Sequence, residues 1–519
     1  MRRLALFFVL TGILTGTEYY VDASAGDDGN SGETSAAAWR SLDKVNAAQF
    51  RPGDRVLFRA GQTWRGQLVL SSSGAEGAPI VVDRHGEGPR PRIDAGGRFD
   101  DAVRLYNVEW VEVRNLEVTN TGPEAAERRG VHIFVDNFGT ARHIVIAGLY
   151  IHDVNGTNKK KDNGGIIFRT NGNRTPSRFD GLVIERNIVW RVDRSAIAAQ
   201  SYHWPRTRWF PSLNVVIRDN YVADIGGDGI VPWATDGALI EHNIARDCNR
   251  RANTYNAGIW PWSTDNSLFR WNEAAFTRTT LDGQGFDSDY NSRNTIFEYN
   301  YSHDNEGGFL LICTPGQRNE SENIGNLGTI ARYNISRNDR ARIFHVSAAE
   351  RTLVHDNVVY VGAGLDVQML LLTDWSGWAD GLTFRNNRFY VDGLARYGHA
   401  VGRREDGTYD IGAGNGRARG VVFEANQYFG RHEGRPDDSS GVVSGERPPL
   451  AWDCDVPEFD PARPDRFDEY LEAHRSWMTR LFEAQFGKPG TDEKSPASVD
   501  RQNQGTSRPS PVFSADRSR

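Results

Sequence analysis

The densest group of potentially catalytic residues is the segment 281–289, which reads Leu-Asp-Gly-Gln-Gly-Phe-Asp-Ser-Asp. Asp287 and Asp289 are two positions apart, so on a β-strand they share one face, with Cα atoms about 6.5 Å apart. Two carboxyl groups at that range raise each other's proton affinity, which separates an acid from a base. Hydrolysis of a glycosidic bond uses such a pair. We therefore expect Asp287 and Asp289 to be catalytic, with Asp282 or Asp228 as a further member.

The same carboxyl groups suit a second chemistry. Proteins bind Ca²⁺ through carboxylate and carbonyl oxygens, so Asp282, Asp287 and Asp289 are also a candidate metal site. A solvated strand edge is the structural alternative. Hydrolysis by two carboxyl groups requires no cofactor, and the residues alone leave both chemistries open.

These acids belong to a long repetitive region. From about residue 100, short runs of β-forming residues end in Asn, at spacings of 33, 23, 29, 28, 34, 23 and 30 residues from Asn187 onward. The repeated residues are Asn187, Asn220, Asn243, Asn272, Asn300, Asn334, Asn357 and Asn387. A loose period of 20–50 residues without helical periodicity is typical of a solenoid of strands. The pattern predicts an all-β, right-handed parallel β-helix of three-strand coils. We expect the Asn side chains to form a hydrogen-bonded ladder at a bend where the Asn adopts the left-handed conformation.

A second repeat follows each Asn and predicts which residues face outward. In it, a small residue precedes an apolar one, at Ile166, Ile197, Ile230, Ile259, Phe286 and Phe309. If these six point inward, the residues one and three positions later lie on the outer face. That face then carries Arg169, Gln200, Trp233, Trp260 and Trp262 beside the acids. Exposed Trp stacks on sugar rings, although a loop could also cover it. We expect the three Trp residues to form a stacking platform, and Arg169 and Gln200 to contact the substrate.

Other polar residues near this face are weaker candidates. His303 and Glu306 follow the acid cluster by one coil and could touch substrate or form a turn. The triplet 159–161 is Lys-Lys-Lys, which fits a solvated loop or a contact to an anionic sugar. Some acids recur four residues after a repeated Asn, so we expect them to serve the fold; they are Asp224, Asp247 and Asp304.

The two ends of the chain differ from the repeat. Residues 1–17 contain Arg2 and Arg3 before an apolar run, as in a secretory signal, with a retained anchor as the alternative. We expect a secreted or periplasmic protein without a membrane span after cleavage. A short helix near residues 39–45 should cap the β-helix of residues 18–450. Residues 451–488 predict a C-terminal helical cap, and the polar residues 489–519 a disordered tail.

Composition narrows the function further. The chain has 519 residues and a formal net charge of -7, without the basic face of a nucleic-acid-binding protein. Three Cys residues allow at most one disulfide, which is too few for a disulfide-stabilised scaffold. They are Cys248, Cys313 and Cys454. We expect a monomer that acts on a polysaccharide or oligosaccharide.

The coils, the Asn repeat and the initial Tyr19-Tyr20-Val21-Asp22 resemble secreted carbohydrate-active enzymes with a right-handed parallel β-helix, of the pectate-lyase-like superfamily. The resemblance covers about residues 18–430. The segment 282–286, Asp-Gly-Gln-Gly-Phe, is similar to the Asp-Gly-x-Gly-Phe-Lys stretch of family 9 polysaccharide lyases. In that family the Lys is the base and nearby Asp residues hold Ca²⁺, but here Asp287 occupies the position of the Lys. The resemblance implies the fold and a carbohydrate substrate.

Three functions therefore remain in order of preference. The first is a glycoside hydrolase that uses paired Asp residues beside a Trp-lined groove. The second is a polysaccharide lyase that acts on a uronate polymer with a bound cation, for which Arg169 could neutralise the uronate. The third is a non-catalytic adhesin or glycan-binding surface protein, which would bind without turnover.

Overall fold

The structure is a computed structural model that describes residues 16–252, 254–314, 322–404, 408–444 and 456–487. Most of the predicted signal sequence (residues 1–15), Cys454 and the predicted tail lie outside the described residues. None of the helices in these ranges has the length and apolar character that a membrane span needs.

The chain winds through three sheets whose strands pair in parallel from one coil to the next. The first sheet contains Glu18–Val21, Arg55–Arg59, Ile80–His85, Val111–Arg114, Thr140–Ala147, Arg178–Glu185, Ser212–Leu213, Val216–Arg218, Trp233–Asp236, Leu239–Glu241, Trp262–Asp265, Leu268–Arg270, Ser292–Arg293, Ile296–Glu298, Asn326–Leu327, Ile330–Arg332, Ala349–His355, Asp380–Arg385 and Arg419–Glu424. The second, here called the groove sheet, contains Leu68–Leu70, Asp101–Tyr106, Arg129–Asp136, Gly164–Asn171, Ser195–Ser201, Ile230–Val231, Gln284–Ser288, Gly308–Cys313, Arg342–Ser347 and Asp366–Thr373. The third, here called the back sheet, contains Thr63–Arg65, Arg92–Asp94, Glu117–Asn120, Tyr150–Val154, Ile188–Val192, Tyr221–Ile225, Ile244–Arg246, Glu273–Ala275, Tyr301–His303, Ile335–Arg337, Val358–Val361, Arg388–Arg403, Gln427–Glu433 and Val442–Ser444. The long strand Arg388–Arg403 belongs to two sheets, because its first part pairs with Val358–Val361 and its later part pairs with Asp366–Thr373 of the groove sheet. This arrangement confirms the predicted all-β, parallel β-helix.

Few elements depart from the coils. Strand Tyr409–Gly412 folds back antiparallel on the end of Arg388–Arg403 and forms a projecting hairpin. The helices of the described residues are three 3₁₀ turns, Ser35–Ala37, Arg206–Arg208 and Pro464–Arg466, and two α-helices, α1 (Leu42–Ala47) and α2 (Phe467–Phe486).

The predicted Asn ladder is present and continues one coil further, to Asn426. From Asn187 to Asn426, each side-chain amide donates to the Oδ1 of the next Asn at 2.9–3.0 Å. The expected left-handed conformation of these Asn residues is wrong, because the residue before each Asn adopts it. Examples are Arg186 (φ 56°), Asp219 (φ 59°) and His242 (φ 54°). The Asn itself must point its amide inward to reach its neighbours, so the bend is made by the preceding residue.

The apolar repeat forms the core of the β-helix. All six predicted inward residues are buried, and Ile166, Ile197, Ile230, Ile259 and Phe286 follow one another in register. The alignment then slips by one residue, because Phe286 pairs with Leu310 and not with Phe309. A slip of one residue exchanges the two faces of a strand. The residues predicted to face outward on the strand Gly308–Cys313, one and three positions after Phe309, were therefore wrong.

The two α-helices occupy different places. Helix α1 inserts Leu42 and Val45 into the core beneath the first coils, as expected of an N-terminal cap. Helix α2 lies lengthwise against the back sheet rather than across the end of the stack, where we expected a cap. It packs against Tyr221 near its start and against Tyr301 near its middle. Its apolar face therefore covers the side of the β-helix that lies away from the groove sheet.

Candidate active site

A cavity of about 350 Å³ opens on the outer face of the groove sheet. Its walls combine three acids with aromatic and cationic side chains. The acids are Asp282, Asp287 and Asp289, the aromatic residues are Tyr255, Trp260, Trp262 and Trp375, and the cations are Lys161 and Arg403. The predicted acid cluster thus lies in one cavity with two of the three predicted Trp residues.

Strand alternation and a glycine turn bring the three acids together. Phe286 is fully buried in the core, so Asp287 and Asp289 project from the opposite face of the same strand. Asp282 precedes that strand and reaches the cavity through a turn at Gly283, whose φ is +73°. A Cβ atom there would lie 1.9 Å from the Thr279 carbonyl oxygen, so only glycine fits.

A buried arginine holds this turn in place. The guanidinium of Arg342 donates to the carbonyl oxygens of Thr280 at 2.7 Å and Asp282 at 2.8 Å. Glu306, one of the predicted substrate contacts, accepts a hydrogen bond from the backbone N–H of Thr279 at 2.7 Å. It therefore supports the turn that carries Asp282, and it does not line the cavity.

The three acids differ in their environments. Burial raises the pKa of Asp282 to about 7; the charge of Arg342 opposes this rise and the charge of Asp289 adds to it. Asp282 is only half-buried at the cavity wall. Burial also raises the pKa of Asp289 to about 6, while hydrogen bonds from the Tyr290 N–H (2.6 Å) and the Cys313 thiol (3.2 Å) oppose the rise. Burial and the two neighbouring acids raise the pKa of Asp287 well above its usual range. Its Oδ1 has no hydrogen-bond partner among the described residues. One cavity thus holds carboxyl groups of graded acidity.

Asp228, the fourth predicted acid, lies behind the cavity wall and is fully buried. One carboxylate oxygen accepts a hydrogen bond from the indole N–H of Trp260 at 3.0 Å. The other accepts from Lys161 at 2.9 Å and from Arg194 at 3.0 Å. All of its contacts go to the protein, so Asp228 organises the wall and does not line the cavity.

The Trp residues are less exposed than the sequence suggested. The expectation that Trp260 faces solvent is wrong, since its side chain is only 3% exposed. Asp228 binds its N–H, and Lys161 lies 4.5 Å from the centre of the ring. Trp262 is half-buried and lines the cavity, and its indole N–H lacks a partner among the described residues. Trp233 packs against Trp262 with ring centres 5.1 Å apart, outside the cavity lining.

The other predicted contacts lie elsewhere. Arg169 is on the groove sheet, several coils from the acids, over the Phe134 ring and 3.8 Å from Asp162. Gln200 is its neighbour in register. His303 is buried on the back sheet, where its Nδ1 lies 2.9 Å from a carboxylate oxygen of Asp304. None of these three lines the cavity.

Sequence reasoning missed several cavity residues for two reasons. The one-residue slip hid Leu311 and Cys313, which are the true outward neighbours of Asp287 and Asp289. Tyr255 and Arg403 come from distant segments and meet only in the fold, where the Arg403 guanidinium donates to the Tyr255 hydroxyl at 3.1 Å. Lys161, from the triplet predicted as a solvated loop, also reaches the cavity.

Among the described residues, the side chains close enough to share an ion differ from the set that we predicted for Ca²⁺. The side chains that could share an ion are Asp287, Asp289 and Cys313, with ligand atoms within 4.8 Å of one another. Ca²⁺ prefers oxygen ligands, whereas a cysteine ligand must be deprotonated and suits softer metals. Burial raises the pKa of the Cys313 thiol well above its usual range, so the thiol stays protonated. The predicted set with Asp282 in place of Cys313 is not among the groups close enough to share an ion in the described chain.

The fold and the cavity place the protein among β-helical proteins whose outer groove carries acidic and aromatic residues. No protein-family model matches the chain. It is 28% identical over 540 residues to a lacto-N-biosidase from Bifidobacterium longum subsp. longum, an alignment that covers 83% of this chain and 32% of that protein. The chain therefore spans about a third of the length of that relative.

A solved structure shows the same similarity. The crystal structure of the GH136 lacto-N-biosidase from Eubacterium ramulus matches with a TM-score of 0.63 and 29% sequence identity. The match covers 72% of this chain and 68% of that chain. Its selenomethionine derivative gives the same TM-score at 28% identity.

Proposed function

We propose that the protein is a glycoside hydrolase that cleaves a glycosidic bond in the groove-sheet cavity. The observation that carries the proposal is the graded set of carboxyl groups, with Asp282 and Asp289 close to neutrality in pKa and next to aromatic walls. A hydrolase needs one protonated and one ionised carboxyl at the same pH. The likeness to two lacto-N-biosidases supports this choice over the other two functions.

Asp282 is the general acid in this proposal. A pKa of about 7 keeps its carboxyl protonated near neutral pH while leaving it acidic enough to give the proton to a leaving oxygen. It is also the most exposed of the three acids. The leaving sugar must depart toward solvent, so the acid belongs at the accessible side of the cavity.

Asp289 is the ionised partner. Two donors hold its Oδ1, and its pKa of about 6 lies below the value of about 7 for Asp282, so it loses its proton before Asp282. It attacks the anomeric carbon, or it activates a water molecule that does so. The configuration of the released sugar separates these two routes.

Asp287 takes a different role from the one we predicted for it. Its carboxyl retains a proton, because burial and two neighbouring acids oppose ionisation. A protonated carboxyl is a hydrogen-bond donor, and its unpartnered Oδ1 leaves it able to bind a sugar hydroxyl. We therefore assign Asp287 to substrate binding beside the pair formed by Asp282 and Asp289.

The cavity size indicates the substrate class. A volume of about 350 Å³ suits the end of an oligosaccharide better than the middle of a long polymer. Trp262 and Tyr255 present aromatic surface to sugar rings at its wall. We propose that the enzyme acts on lacto-N-biosides, as the names of the two relatives indicate, and that it acts as a secreted monomer without a cofactor.

The lyase alternative has less support from the cavity. Arg169, which was to neutralise a uronate, lies outside it. Lys161 lies inside, but its ammonium is 2.9 Å from Asp228 and donates to the Tyr255 carbonyl oxygen at 3.2 Å. Two protein acceptors thus hold the ammonium, so it is not aimed at a substrate proton.

The test is hydrolysis of p-nitrophenyl lacto-N-bioside, read as release of p-nitrophenol, with uronate polymers assayed in parallel. We expect release of the nitrophenol, no ultraviolet absorbance from an unsaturated uronate, and no loss of activity with a chelator. NMR of the first product identifies its anomeric configuration. Formation of an unsaturated product without nitrophenol release would instead establish the lyase, and binding without turnover the adhesin.

A further inference from the structure

Cys313 lies beside Asp289 in the next coil and faces the same cavity. The strand Gly308–Cys313 pairs with Gln284–Ser288 in a register that sets Ser288 beside Ile312. Asp289 and Cys313 lie one position further along these strands, and the Cys313 sulfur is 3.2 Å from Oδ1 of Asp289. The thiol is 1% exposed, so water does not compete for this contact.

The thiol is the donor in this hydrogen bond. Burial raises the pKa of Cys313 well above its usual range, and the charges of Asp289, Asp287 and Asp282 raise it further. The S–H therefore persists at neutral pH. An ionised Asp289 has only acceptor oxygens, so the proton of the bond belongs to sulfur.

The bond selects which oxygen of Asp289 is available for chemistry. The Tyr290 backbone N–H also donates to Oδ1, at 2.6 Å. Both donors thus hold the same oxygen, which fixes the plane of the carboxylate and leaves Oδ2 for the substrate. Among the other charged groups, Lys161 favours the ionised form of this carboxylate and Asp228 opposes it. Asp282 and Asp287 also face it in the same cavity and interact with its charge.

We propose that Cys313 is a positioning residue whose thiol orients Asp289 and favours its ionised form. The proposal rests on the role of Asp289 in the proposed function. Leu311, which neighbours Cys313 on the same face, cannot donate a hydrogen bond. The backbone N–H of Tyr290 alone constrains the Asp289 carboxylate from one direction only. The neutral thiol adds a second direction without adding a charge to a cavity that already holds three acids.

The experiment compares Cys313→Ala, Cys313→Ser and the control Cys248→Ala, which removes another buried thiol of the described chain. A hydrogen bond to a charged group is stronger than one between neutral groups, but a thiol is a weak donor, so the expected effect is moderate. We expect Cys313→Ala to lower kcat about tenfold with KM within about twofold, and to move the acid limb of the pH profile to higher pH. The hydroxyl of Cys313→Ser should restore both, and Cys248→Ala should keep the wild-type profile.

Two results would overturn the proposal. The first is an unchanged kcat and acid limb in Cys313→Ala. The second is an equal loss of kcat in the Ala and Ser variants together with a lower melting temperature, which would show a packing role. Asp289→Asn, measured in the same series, separates the two hypotheses: if it keeps full activity, the proposed role of Asp289 fails, whereas an inactive Asp289→Asn beside an unaffected Cys313→Ala rejects only the positioning role.

Discussion

The buried acid Glu273 on the back sheet and the acids of the cavity have pKa values shifted in opposite directions. On the back sheet, Glu273 is fully buried beneath helix α2. Its carboxylate accepts hydrogen bonds from Arg246 at 2.5 Å and His474 at 2.7 Å, and it lies 3.4 Å from His303. Burial pushes its pKa upward, but these three residues outweigh burial and hold the pKa well below the usual value. In the cavity, burial outweighs the available donors and the pKa values rise.

The difference follows from the number of cationic partners. A buried charge is tolerated where partners neutralise it and is costly where they are absent. Glu273 links α2 to the β-helix through His474 and therefore serves stability. Within the described chain the cavity acids form no ion pair with a cation, as expected of groups that must exchange protons during a reaction.

The largest effect is expected from Asp289→Asn. The amide keeps the size of the side chain but cannot act as nucleophile or base, so turnover should fall by about 10²–10⁴-fold. Melting temperature should not fall, because burial already raises the pKa of Asp289 in the folded state and the residue has no cationic partner among its hydrogen bonds. The measurement is kcat by nitrophenol release. The control is Asp304→Asn, on the back-sheet side; similar losses in both variants would contradict the assignment.

Glu273→Gln should affect stability, not chemistry. Removing one member of a buried ion pair leaves Arg246 uncompensated, which costs about 3–5 kcal/mol. The folded pKa lies below the unfolded one, so this contribution is present above the unfolded pKa and is lost as pH falls through the folded pKa. Urea denaturation of both proteins at pH 7 and at lower pH measures it.

The control for Glu273→Gln is Glu241→Gln, which removes a more exposed ion pair with Arg270. That variant should lose less than about 1 kcal/mol. Equal losses in the two Gln variants would show that the burial of Glu273 has no special role.

Asp287→Asn should stabilise the protein. Because the pKa of Asp287 is raised in the folded state, folding at neutral pH requires the uptake of a proton, which disfavours the native state. The neutral amide removes that requirement, so we expect a gain on the order of 1–3 kcal/mol. The gain should vanish below the unfolded pKa and grow as pH rises toward the folded one. A loss of stability at pH 8 would show that Asp287 has a partner that the structure does not indicate.

The smallest effect concerns the pH profile. Asp289 must be ionised and Asp282 protonated, so activity should fall as pH drops through about 6 and as it rises through about 7. Asp282→Asn should lose the alkaline limb when the leaving group is an activated phenol that needs no protonation. A persistent alkaline limb in that variant would assign the acid to another residue. The measurement is kcat at pH values from about 4 to about 9, a range that includes both pKa values.

Much of the fold was predictable because it follows from short-range periodicity. The Asn repeat and the inward apolar row recur in sequence as they stack in space, which identified the coils and the ladder. Asp287 and Asp289 were predictable as a pair because alternate residues of a strand face the same side. Asp224, Asp247 and Asp304 were predicted to serve the fold, and all three adopt positive φ, between 50° and 55°, at a second bend.

Other features depended on how unequal coils stack. Two apolar residues in succession, Phe309 and Leu310, follow Gly308, so the local pattern did not determine which of them aligns with Phe286, and Cys313 was overlooked. His303 falls on the back sheet, because the strand that follows a ladder Asn belongs there and the groove strand comes later in the coil. Trp260 is buried since the loop carrying Lys161 folds over it.

The sequence by itself determined the coil, the ladder and the facing of residues within one strand, because covalent geometry sets the alternation of neighbouring side chains. Only the tertiary structure decided which loops meet at the cavity and which acids keep their protons. The pKa of a buried carboxyl depends on desolvation and on charges that are distant in the chain, such as Lys161 for Asp289 and His474 for Glu273. The length of a loop determines whether its charged side chains reach the buried carboxyl group, and no local sequence pattern encodes that outcome.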